Sequence, residues 1–210
     1  VTNNYIWRGL TQTTNDAAVQ GGIDFAHDSG FYAGTWVSNV QYAADDVYSY
    51  ENDWYAGFAG DFGDSGISFD VGYLYYNYDE EAEFDFGEIY ATIGWKGLSV
   101  TYYGLTNTEA DEVGDQDFDA FQTYYISADY GFTIFEDVEI GLHYGYHDGD
   151  FQEAFNGTDG DYSDYNLSIS KGGFSFMVSD TDVDGPAAEG GLDNDEVKWV
   201  VSYAVDVDLF

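Results

Sequence analysis

Three groups of residues in this 210-residue chain have types and spacing that could do chemistry. The first is "DTDVDG", where Asp180, Asp182, Asp184 and Gly185 follow the order of an EF-hand calcium loop. The pattern then departs: position twelve is Gly191 rather than Glu, and no helical pattern flanks it. Hard cations take six to eight oxygens in flexible geometry, so these carboxylates with Glu189 or the following "DNDE" could hold Ca²⁺, or form a solvated acidic loop. A weaker candidate of the same kind is "NGTDGDYSD", with Asp159, Asp161 and Asp164. The second group is His143 and His147, which on a strand stand about 13 Å apart and read as separate residues rather than a metal pair. The third is Arg8 in "YIWRGL", one of only 4 basic residues set against 41 acidic ones.

Catalysis finds little support. Cysteine is absent, and paired carboxylates carry no signal among 41 acids. A serine hydrolase of the outer-membrane kind needs Ser and His on its lipid face, whereas His143 and His147 fall on polar faces and His27 in a short turn. No enzyme is expected. The net charge of −37 excludes nucleic acid as a partner, because phosphate binding needs Lys and Arg to displace counterions.

The elements that must position these residues read as strands. Aromatics make up 20% of the chain, with 26 Gly and 1 Pro, while good helix formers are scarce. Alternation of period two recurs throughout: in "DVEIGLHYGYH", Val138, Ile140, Leu142, Tyr144 and Tyr146 share one face, and Glu139, His143 and His147 the other. About twelve such runs occur, at 3–10, 17–27, 30–38, 51–61, 66–77, 84–95, 97–105, 117–130, 134–147, 162–170, 173–180 and 196–209. Their connections alternate short ("HDSG", "FGDSG", "WKG", "GFT", "KGG") with long, and the long ones are acidic while Lys96 and Lys171 sit in short turns. No run of about 18 apolar residues is present, so a spanning helix is excluded and spanning strands are not. The pattern predicts a single all-β domain over residues 1–210, a transmembrane antiparallel up-and-down barrel of about 12 strands with short periplasmic turns and long acidic extracellular loops. Tyr5, Trp7, Trp36, Trp54, Trp95 and Trp199 are expected in its aromatic girdles. An N-terminus without a basic and apolar leader implies a signal peptide already removed.

On that layout Tyr5 and Trp7 take the lipid side and Arg8 the lumen, as does Lys198 opposite Trp199. The first and last strands of a barrel are neighbours, so Arg8 and Lys198 would meet across the seam, balanced by acids such as Asp24, Asp70, Asp129 or Glu139. These residues and His143 would line a constriction; alternatively, Arg8 is solvated at a rim.

"YIWRG", "QGG" at 20–22 and "GFYAGTWVSN" at 30–39 resemble the opening of the Gcw_chp family of proteobacterial outer-membrane proteins, of the TorF porin type. The resemblance implies a barrel in a Gram-negative outer membrane, among lipid and lipopolysaccharide, and no catalytic residues. It also implies the usual C-terminal aromatic in Phe210, although Asp208 stands where an apolar residue is typical. Two functions follow as expectations: a narrow, cation-selective porin for ions or small solutes, or a non-conducting surface barrel whose loops bind divalent cations and mediate self-assembly as a homo-oligomer or other surface contacts. A soluble, halophile-type β-protein is a third class, opposed by the apolar outward rows.

Overall fold

The computed structural model describes residues 1–43, 47–183 and 194–209. A small hairpin of β1 (Ile6–Trp7) and β2 (Leu10–Thr11) precedes one antiparallel sheet of eleven strands, each pairing only with its neighbours in sequence. These are β3 (Gln20–Ala26), β4 (Phe31–Asn39), β5 (Tyr50–Asp61), β6 (Ile67–Asn77), β7 (Phe86–Trp95), β8 (Leu98–Thr108), β9 (Tyr124–Ile134), β10 (Val138–Asp148), β11 (Tyr162–Lys171), β12 (Phe174–Thr181) and β13 (Lys198–Tyr203). An α-helix, α1 (Asp150–Asn156), interrupts the β10–β11 connection. No described helix is long and apolar enough to cross a membrane, which says nothing of strands.

Alternation along each strand decides which way its side chains point. Ile23, Trp54, Phe58, Val71, Ile89, Ile93, Leu142, Leu167, Phe176 and Trp199 all lie exposed on the outer face. Their sequence neighbours Asp53, Glu88 and Lys198 are buried inside, as is Asp164 beside the exposed Tyr165. A sheet with its apolar row outside and its polar row inside inverts the soluble pattern and matches a barrel wall in lipid.

The ladder ends at β3 and β13, which do not pair with each other. Instead Thr2 forms single antiparallel bridges to both Ala18 and Ser202. Its N–H donates to Ala18 O at 3.0 Å, while Tyr203 N–H donates to Val1 O at 2.9 Å and Asn3 N–H to Val201 O at 3.1 Å. The sheet therefore curls until its two edges reach the same three residues, although the strand-to-strand ladder stays open. The expected twelfth wall strand at 3–10 is absent: past Asn3 the chain leaves the wall and turns inward. A second correction concerns "GFT", which is no turn. Gly131 and Thr133 continue the inward row of β9, and the chain reverses at Phe135–Asp137, with Phe135 and Glu136 at φ 48° and 70°. The final strand stops at Tyr203, so 204–209 lie outside it.

On the inner face, tyrosine rings lie across glycines directly opposite them on the next strand: Tyr32 on Gly57, Tyr55 on Gly34, Tyr90 on Gly72. A side chain at Gly57 would run into the Tyr32 hydroxyl and lie 2.8 Å from the Val71 carbonyl. Gly57→Val is expected to cost about 1–3 kcal/mol by overpacking, read as a lower urea midpoint in detergent. The outward Ala33→Val should leave that midpoint unchanged.

Candidate functional site: the filled interior and its lining

Local chemistry bends the N-terminal segment inward. The two residues between β1 and β2 are Arg8 and Gly9, at φ 46° and 81°, the left-handed pair that a tight hairpin turn requires. Glycine adopts this freely; Arg8 is strained there and must be held by its surroundings. An added Cβ at Gly9 would strike Thr181 and Asp164, so the hairpin tip lies against the wall. Polar side chains hold the rest of the hairpin: Thr11 Oγ1 donates to Asn4 Oδ1 at 2.6 Å, Asn4 Nδ2 to Asn15 Oδ1 at 2.8 Å, and Thr13 Oγ1 to Asp16 O at 2.6 Å. Tyr5 donates to Glu51 and Tyr42 to Gln12, each at 2.8 Å, tying the hairpin to the wall and to the loop after β4.

Arg8 is the centre of the site. Its guanidinium makes a two-pronged contact with Glu88 on β7, Nη1 to Oε1 at 3.0 Å and Nη2 to Oε2 at 2.6 Å, with side-chain exposures of 5% and 2%. Its carbon lies 4.2 Å from the Trp7 ring centre, 4.4 Å from Tyr125 and 5.1 Å from Tyr103. Nη1 also reaches His147 Nε2 at 3.0 Å. Guanidinium only donates, so Nε2 accepts and the imidazole proton sits on Nδ1, facing the Tyr162 oxygen at 3.3 Å. Tyr162 in turn donates to the Arg8 carbonyl at 3.0 Å, closing a ring of hydrogen bonds around the hairpin tip.

Aromatic packing fills the space beside this cage, at the end of the sheet that carries the long connections. Phe151 and Phe155, one turn apart on α1, face inward together, and Gly157 ends the helix in the left-handed conformation. They meet Phe86 at 5.0 and 5.3 Å between ring centres, and Phe155 meets Trp7 at 6.0 Å. Tyr76, Tyr78, Leu105, Phe118 and Val40 complete a buried cluster. The loop after β4 is pinned by Asp79, which accepts from Ser49 N–H at 2.6 Å, Ser49 Oγ at 2.8 Å and Tyr50 N–H at 3.2 Å. Slight burial works against ionising Asp79, but these donors outweigh it and hold its carboxyl below the usual carboxylate range.

The remaining interior is lined by tyrosines and acids. Asp24 accepts from Tyr55, Asp70 from Tyr32 at 2.6 Å, and the Tyr32 and Tyr90 hydroxyls meet. His143 bridges Asp129 through Nδ1 at 2.6 Å and Asp164 through Nε2 at 3.0 Å. Glu139, opposite Thr133 and Ser170, is exposed on the same face. Asp53 is buried between Trp36 and Tyr76 on the flanking strands, and its Oδ1 has no hydrogen-bond partner.

Several sequence-based placements change. Arg8 does not meet Lys198 across the seam, because the hairpin carries it to Glu88, eighty positions along the chain. Lys198 Nζ donates instead to the Asn194 and Glu196 carbonyls at 3.0 and 3.1 Å. Tyr5, Trp7 and Trp36 are not girdle residues: Tyr5 stands edge-on to Trp36 at 5.3 Å, and Trp7 to Tyr76 at 5.9 Å, all inside. Trp54, Trp95 and Trp199 do face outward. Asp164 is no loop ligand beside Asp159 and Asp161, since it points inward from β11 to Tyr125 and His143. Asp182 accepts from Ser163 N–H at 2.5 Å and Asp180 from Tyr165 at 3.4 Å, while Asp184 and Glu189 lie outside the described residues, as does Phe210. Among the described residues no three His, Asp or Glu side chains converge as a metal site. Glu88, Glu51 and Asp53 escaped the sequence reading. All three stand on inward rows of the alternation, but so do many of the 41 acids, and only the position of the hairpin distinguishes them.

A curled antiparallel sheet with an apolar outside and a polar, partly filled inside defines a porin-like β-barrel fold. A solved structure described as "KdgM porin" shares it, with a TM-score of 0.55 at 15% identity over 90% of this chain and 92% of that one. The chain itself belongs to the family described as "Bacterial protein of unknown function (Gcw_chp)", whose model matches residues 1–205. No curated protein matches it.

Breaking a buried ion pair on one side leaves the other charge stranded, so Arg8→Ala or Glu88→Gln alone is expected to cost about 3–5 kcal/mol. The double variant should cost clearly less than the sum, measured by urea unfolding in detergent. Asp79 titrates below its unfolded value, so its clasp stabilises the loop fully above about pH 4 and is lost as pH falls through the lower folded value. Protease cleavage within 40–50 should rise below that pH, and in Asp79→Asn at neutral pH.

Proposed function

We propose that the chain is an outer-membrane barrel of porin type, in the TorF line of its family, that passes small cations or small solutes through an interior narrowed by its own N-terminal hairpin. The observation that carries this reading is the division of faces: an apolar aromatic belt around the outside, and tyrosines with carboxylates along the inside. Asp24, Asp70, Asp129, Glu139 and His143 line the path, with Arg8 at its constriction and Lys198 at its margin. Carboxylates along a narrow, low-dielectric path concentrate cations and repel anions, which gives cation selectivity.

A second reading is a non-conducting surface barrel, favoured by the aromatic packing that fills the loop end of the interior. In it the acidic loops, including the stretch from Asp180 to Glu189 and the pair Asp159 and Asp161, hold Ca²⁺ or another divalent cation. They then bridge second copies or lipopolysaccharide phosphates.

Planar-bilayer recording under a salt gradient separates the two. Small, discrete, cation-selective steps are expected, with the selectivity reduced at least twofold in Asp70→Asn/Asp129→Asn. Anion preference would overturn the selectivity. Silence both in the native chain and in a variant lacking residues 4–16, combined with oligomers that dissociate in chelator, would replace the first reading by the second.

A further inference from the structure

We propose that the cage around Arg8 is a guanidinium-binding site of the wall, occupied in this structure by the chain's own arginine as a tethered ligand, so that a free alkylguanidinium competes with the hairpin. The proposal rests on the porin reading only for its effect on passage, not for binding.

Three observations point to a receptor rather than an ordinary ion pair. The wall supplies every hydrogen bond to the guanidinium and two of its three rings: both oxygens of Glu88, the His147 acceptor, and the faces of Tyr103 and Tyr125, with Trp7 of the hairpin as the third. That set matches a guanidinium in particular, because the planar fork takes two parallel bonds from one carboxylate and stacks on flat rings, which a compact ammonium does not. The wall groups are also held independently of Arg8. Tyr76 donates to Glu88 Oε2 at 3.2 Å, and Tyr125 reaches Asp164 at 3.0 Å and His143 at 2.9 Å. Removal of the Arg8 side chain would therefore leave the wall groups of the cage in place.

The hairpin itself is held by noncovalent contacts alone. It is joined to the wall at its root by the Thr2 bridges and along its length by hydrogen bonds. Tethering places Arg8 at a local concentration of the order of millimolar or above, so a free guanidinium must exceed that range to displace it. Removing the tethered side chain removes the competitor.

The test uses the full chain refolded in detergent as the native form, Arg8→Ala, and Arg8→Ala/Glu88→Gln. Methylguanidinium chloride is titrated against methylammonium chloride at equal ionic strength. The expected result is a saturable rise in the unfolding temperature of Arg8→Ala of several degrees with methylguanidinium alone, absent in the double variant. An equal response to both salts, or the same response without Glu88, overturns the proposal. If Arg8→Ala does not refold, Arg8→Lys serves instead: it keeps a charge on Glu88 but loses the fork, and methylguanidinium should act on it at a concentration at least tenfold lower than on the native chain. Equal midpoints there overturn the proposal as well. In bilayers, methylguanidinium should block current through Arg8→Ala. Barrels silent in every form would defeat the porin reading while the thermal titration still decides the binding site.

Discussion

The interior is organised by the need of one buried guanidinium for partners. A charge taken out of water is tolerated only where opposite charge and hydrogen-bond acceptors surround it. Arg8 finds both oxygens of Glu88, an imidazole nitrogen and three ring faces. To place it there the chain must leave the wall after Asn3, reverse through a left-handed turn, and return along Leu10–Thr13. The strain at Arg8 and the loss of a twelfth wall strand are both consequences of that one contact.

Leaving the wall creates a second problem, the exposed edges of β3 and β13. Unpaired edge groups are costly wherever water cannot reach them. Val1–Asn3 reduce that cost by pairing with β13 on one side and Ala18 on the other, so a three-residue segment serves where a full strand is expected. The same short segment is the root of the hairpin, which couples the seam of the sheet to the filling of its interior.

The interior is thus divided. Toward the long connections, Trp7, Phe86, Phe151 and Phe155 form one aromatic cluster. Toward the short turns, Tyr32, Tyr55, Tyr90 and their carboxylates leave a polar lining, and rings lie flat over glycines to keep the bore clear of a second layer of side chains. The hairpin is held in the interior by hydrogen bonds and by the packing of Tyr5, Trp7 and Leu10, and α1 by its two phenylalanines.

The alternation of apolar and polar residues by itself determined eleven wall strands, their inward and outward rows, the beat of short and long connections, and the inward placement of Asp24, Asp70, Asp129 and His143. Those properties are local, because period two follows from the geometry of a single strand. The family was legible too, in "YIWRG" and "GFYAGTWVSN". Only the tertiary structure decided that Tyr5, Trp7 and Trp36 turn inward, that Arg8 belongs to Glu88 rather than to the seam with Lys198, and that "DFQEAFN" within an acidic loop folds as a helix over the interior. An alternating segment such as 3–10 satisfies its backbone equally well in a wall or in a hairpin. What separates the two is the burial of a guanidinium and a tryptophan against residues far along the chain, Phe86, Glu88 and Phe155, an energy that no local pattern contains.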